Sequence, residues 1–100
     1  MFINTVDDAN ELRILGNITY NFMKIPPGFS SKVEYLKFLM TTDGVGDIEV
    51  IEVKDISFNL NPFSGKPELI VDFVKKDNQG VNTAEKYYIT VIDNERKGSI

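Results

Sequence analysis

Residues 68–93 read ELIVDFVKKDNQGVNTAEKYYITVID. Leu69, Val71 and Phe73 alternate with Ile70, Asp72 and Val74, and further on Tyr87, Ile89 and Val91 alternate with Tyr88, Thr90 and Ile92. β-Branched and aromatic residues at period two predict two strands. Between them, residues 75–82 hold Asp77-Asn78-Gln79-Gly80, polar turn-formers ending on a glycine free to take positive φ. The stretch is therefore expected to be a β-hairpin. Its connector is longer than a two-residue turn, which leaves the register open. Both faces of each strand are largely apolar, so the pair is expected in the interior of a sheet, covered on both sides, with Asp72 and Thr90 as local exceptions.

A cover for the hairpin is found upstream. Ser31-Lys32-Val33-Glu34 has the spacing of a capping box, and Val33, Leu36, Leu39 and Met40 recur at helical intervals. One amphipathic helix is expected over residues 31–41, closed by the turn residues of 42–47. Before it, Ile25-Pro26-Pro27-Gly28-Phe29 ends whatever precedes, because neither proline can donate to a ladder.

What precedes is read as a strand. Leu12, Ile14, Gly16, Ile18, Tyr20 and Phe22 fall on one side at period two, with Gly16 marking a bend. A hairpin turning at Gly16-Asn17 and a helix over residues 8–22 are the alternatives. Residues 1–6 read as a further short strand, and Thr5, Asp7 and Asp8 as N-caps for a turn or a short helix that includes Glu11. Downstream of the helix, Ile48 and Val50, then Ile51 and Val53, then Ile56, Phe58 and Leu60 are period-two runs whose phase shifts twice. They predict either one strand bulged near Val50 and Lys54, or two short strands turning at Lys54-Asp55. Residues 61–67 are a loop, and residues 94–100 look like a solvated tail. The fold expected is a single α+β domain over residues 1–100. It has a mostly antiparallel sheet of four to five strands with one helix packed on one face.

Composition narrows the chemistry. Cysteine and histidine are both absent, which removes disulfides, thiolate and imidazole metal sites, and Ser-His or Cys-His catalysis. A net charge of −4 argues against a phosphate-backbone binder, so nucleic acid is not an expected partner. No apolar run reaches membrane-spanning length, and the acidic start MFINTVDDANELR does not resemble a secretory leader. A cytosolic protein, or one packaged into a particle, is expected. Asn17-Ile18-Thr19 is accordingly a chance sequon. Two Ala and two Arg against eleven Ile, nine Asn and nine Lys is the bias of an AT-rich coding sequence, as in many low-GC bacteria and their phages.

Individual motifs carry little chemistry. The Ser64-Gly65-Lys66-Pro67 run lacks the phosphate-loop signature, since Leu60 replaces its first glycine and Pro67 its hydroxyl. Asp43, Asp47 and Glu49 lie in a glycine-rich turn without calcium-loop spacing, so no metal and no cofactor is expected. Asp72 is the one acid expected on a central strand, and either an exposed or edge position or a cross-strand pair with Lys86 accounts for it. Lys75, Lys76, Lys86, Tyr87 and Tyr88 gather near the hairpin's turn, a basic and aromatic set set against an acidic total.

Apolar residues in connections stand out more. Phe22, Met23, Ile25, Pro26, Pro27 and Phe29 crowd one connection and Phe63 sits in another, where side chains either tuck under their own domain or meet a partner. The expected function is a non-enzymatic protein-interaction module, an assembly subunit forming homo- or hetero-oligomers, with those seven residues as its contact set. The alternative is a small acidic inhibitor or adaptor presenting Asp43, Asp47, Glu49 and Glu52 to a host enzyme.

Overall fold

The computed structural model describes residues 6–45, 48–92 and 95–99, with side chains for 12–45 and 48–90. Two helices, α1 (Val6–Met23) and α2 (Lys32–Thr42), precede four strands, β1 (Glu49–Leu60), β2 (Pro67–Lys76), β3 (Asn82–Ile92) and β4 (Glu95–Ser99). The strands pair antiparallel in chain order, β1-β2-β3-β4. Three long strands carry the sheet, and the short β4 runs along the outer side of β3. The expected short strand over residues 1–6 falls almost wholly outside the described residues.

The hairpin forms as its periodicity requires. Asp72 stands opposite Lys86, Val71 opposite Tyr87 and Leu69 opposite Ile89. The 77–81 connection is organised by Asp77, whose carboxylate accepts the Gln79 and Val81 N–H groups at 2.8 and 2.9 Å. Gly80 supplies the positive φ of 78°. Those two backbone donors favour the charged form and hold the Asp77 carboxyl below its ordinary value.

Among the described residues only one face of the sheet is covered. Leu69, Val71, Phe73, Tyr87 and Ile89 are buried in one cluster with Leu15, Ile18 and Phe22 of α1 and Tyr35, Leu36, Leu39 and Met40 of α2. The opposite face carries no helix among the described residues. Ile70, Asp72, Val74, Tyr88 and Thr90 stay half-buried there, so the expected two-sided cover is corrected. An antiparallel sheet tolerates one wet face.

The strand expected over residues 12–22 is a helix, so the described residues form two helices rather than one. Leu15, Ile18 and Phe22 are buried while Arg13, Asn17 and Tyr20 are exposed. That is a helical stripe superposed on the period-two pattern, and burial against the sheet outweighs the modest preference of Ile, Thr and Tyr for strands. Gly16 is the weak point of α1. A Cβ there would meet nothing within 4 Å, so Gly16→Ala should raise stability by about 0.5–1 kcal/mol. Thermal unfolding followed by circular dichroism checks this; an unchanged or lowered midpoint would count against the helix.

α2 begins where its capping pattern places it. The Ser31 hydroxyl accepts from the Glu34 N–H at 3.3 Å. At the other end Gly44 takes φ 80°. The Val45 N–H reaches the Met40 carbonyl at 2.9 Å and the Gly44 N–H the Thr41 carbonyl at 3.1 Å. This pair of bonds is a Schellman closure that satisfies two terminal carbonyls. β1 is one strand, bulged at Ile51 and Lys54, because its register against β2 slips between Val50 and Glu52 and again between Val53 and Asp55. Residues 95–99, expected as a solvated tail, instead add the fourth strand.

Candidate functional site

The proline-rich connection of residues 25–29 is folded onto the domain. Phe29 donates its N–H to the Pro26 carbonyl at 3.3 Å, and Gly28 at φ 99° follows Pro27, the arrangement of a type II turn. Edge-to-face contacts then tie the connection to α2, Phe29 to Tyr35 at 5.3 Å and Phe29 to Phe38 at 5.2 Å, while Phe22 of α1 meets the same Tyr35 at 4.8 Å. The Asn21 amide adds a hydrogen bond to the Tyr35 hydroxyl at 3.1 Å.

Of the seven expected contact residues, Phe22 is therefore corrected. It lies on the inner face of α1, fully buried, where the helix turns it inward and no partner can reach it. Ile25, Pro26 and Phe29 are half-buried. Met23 is 78% exposed, Pro27 is exposed and Phe63 is 98% exposed. Met23 and Phe63 sit on separate elements, the end of α1 and the β1–β2 loop.

The Phe63 loop is built rather than slack. The Asn61 side-chain oxygen accepts the Phe63 and Ser64 N–H groups at 2.9 and 3.1 Å. Its backbone closes the turn with Lys66 and Gly65. Asn59 and Asn61 donate their amides to the buried Glu68 carboxylate at 2.9 and 3.4 Å. An aromatic ring is thus held in solvent by an ordered turn, and hydrophobic burial does not account for its position.

Beside that loop runs the free edge of the sheet. Among the described residues no strand pairs with the outer side of β1. Phe58 and Leu60 stand opposite the buried Leu69 and Pro67, which places them on the helix-covered face, yet they remain 51% and 45% exposed. With Leu12 and Pro67 they line an open apolar groove of about 410 Å³. The two bulges and the charges of Glu52, Lys54 and Asp55 occupy the first part of β1, features that discourage strand addition. From Asp55 to Leu60 the register is regular. In the sequence Phe58 and Leu60 read as strand residues and not as a surface, because nothing local says that β1 is an edge.

The remaining candidates disperse. Tyr87 is buried and donates its hydroxyl to the Asp43 carboxylate, while Tyr88 and Lys86 lie on the open face; the basic and aromatic set near the turn is split between two faces. Lys86 does meet Asp72, at 2.6 Å, and that bond raises the Lys86 pKa above its ordinary value. The two line an open depression of about 560 Å³ with Lys54 and Tyr88. Of the acids Asp43, Asp47, Glu49 and Glu52, Asp43 caps α2, Asp47 falls outside the described residues and Glu52 pairs with Lys54 at 3.7 Å. No group of three or more acids able to hold a metal ion occurs among the described residues. No helix there is long and apolar enough to cross a membrane.

No protein-family model, curated protein or solved structure matches the chain.

Proposed function

We propose that this chain is a non-enzymatic protein-interaction module, a small assembly subunit that docks on protein neighbours through the outer edge of β1 and the turn beyond it. One observation carries this reading: Phe58, Leu60 and Phe63 lie close together in the chain at one end of the sheet, all exposed, beside backbone that lacks a partner strand among the described residues. Strand addition supplies affinity through main-chain hydrogen bonds and specificity through alternate side chains. The three rings and branches would supply its apolar anchor.

An acidic inhibitor has less support, because two of its four acids are already engaged within the domain: Asp43 by Tyr87 and Glu52 by Lys54.

Affinity capture tests the proposal. The wild-type chain and a Leu60→Lys, Phe63→Ser double variant serve as baits in a lysate of the source cells, with recovered proteins, this chain included, identified by mass spectrometry. A specific partner, or the chain itself, should be held by the wild type and lost by the variant. Equal recovery on both baits, or none on either, would overturn it.

A further inference from the structure

Resting on that reading, we infer that the occupant of the β1 edge is a second copy of this chain, paired antiparallel about a twofold axis at Phe58. The backbone restricts where such an axis can lie. Alternate residues of an edge strand turn their N–H and C=O groups outward. Two antiparallel edges form a ladder only when outward residues face outward residues, so the axis must pass through a residue and not between two.

The side chains then choose the residue. An axis at Phe58 sets Phe58 against Phe58, Ile56 against Leu60 and Ser57 against Asn59. Directly opposed residues share a face, so the apolar pairs fall on the helix-covered side and the polar pairs on the open side. Every pair from Ile56 to Leu60 matches in polarity and none places like charges together, and β1 ends there, before Lys54 would come opposite Pro62. Asp55, the nearest charge, comes to face Asn61.

Neighbouring axes fail. At Ser57, Lys54 is set against Leu60 and the bulge between Val53 and Asp55 enters the ladder. At Asn59, Ile56 faces Pro62, which has no N–H to donate. Ile56 already packs against the core, so pairing at Phe58 extends one apolar layer through the interface and covers the exposed faces of Phe58 and Leu60. An isologous contact of this kind closes on itself, joining two four-stranded sheets into one.

Charge-swapped variants at the axis give the test. Purified wild-type chain should run as a dimer in light scattering over a concentration series, with amide exchange at residues 56–60 slowing as the dimer fills. Phe58→Lys and Phe58→Glu, both at a half-exposed edge position, should fold as the wild type does by circular dichroism and each run as a monomer. Mixed in equal amounts they should dimerise again, since the axis sets Lys against Glu.

A monomeric wild type at all concentrations would overturn self-pairing. So would a dimer insensitive to both variants, or variants that do not recombine. If the purified wild type is monomeric while edge-dependent capture recovers a different protein, self-pairing falls and the docking surface stands. If capture also fails, both fall.

Discussion

Phe22→Ala is expected to cost about 3–5 kcal/mol of folding stability, while Met23→Ala, one residue along, stays within about 0.5 kcal/mol. Phe22 is fully buried and packs edge-to-face on Tyr35. Its removal leaves a cavity where α1, α2 and the sheet converge, and the Phe29 contact with Tyr35 loses support behind it. A domain of this size has roughly 5–15 kcal/mol in total, so the loss is a large share of the whole. Met23 projects into solvent at 78% exposure, and its truncation removes little packing. Urea unfolding of both variants measures the contrast: the midpoint should fall sharply for Phe22→Ala, with the slope unchanged if the denatured state is unaltered. A small loss for Phe22→Ala would mean that α1 does not pack as described.

The same pair of residues explains what the sequence could and could not reveal. Phe22 and Met23 precede a double-proline segment, and from composition alone both read as apolar residues of a connection. What separates them is the helical phase of α1, and that phase is ambiguous because residues 12–22 satisfy two periods at once. Leu12, Ile14, Ile18 and Phe22 suit a strand; Leu15, Ile18 and Phe22 suit a helix. Helix wins through burial against β2 and β3, elements at the other end of the chain, and no local signal reports that. The hairpin, by contrast, is legible because its partners are close in sequence and its alternation is strict, down to the Asp72–Lys86 pair. The α2 cap is legible for the same reason: Ser31 and Glu34 meet within one turn. The two bulges of β1 are visible as phase slips. Its position at the edge is a property of strand order, so the exposure of Phe58 and Leu60 had no counterpart in the local pattern.

Tyr87→Phe is expected to destabilise the fold by about 1.5–3 kcal/mol, the range for a hydrogen bond to a charged group, although it leaves the ring in place. Tyr87 is fully buried on β3, and its hydroxyl donates to the Asp43 carboxylate, with the Leu39 carbonyl at 3.4 Å. Asp43 is the C-cap of α2. One phenol therefore fastens the end of the helix to the middle of the sheet, at a point where apolar packing alone would let α2 slide or rotate. Because the phenyl ring of the variant fills nearly the same volume, cavity formation contributes little and the loss reports the hydrogen bond. A double-mutant cycle separates this bond from the capping role of Asp43. Asp43→Ala in the wild type removes both the bond and whatever its side chain does for the cap, while Asp43→Ala in the Tyr87→Phe background removes the second alone. The difference, measured by urea unfolding, should be at least about 1 kcal/mol if the two groups interact as described. Additive losses would mean that Tyr87 and Asp43 act independently, leaving the Leu39 carbonyl as the partner through which the Tyr87 hydroxyl meets α2.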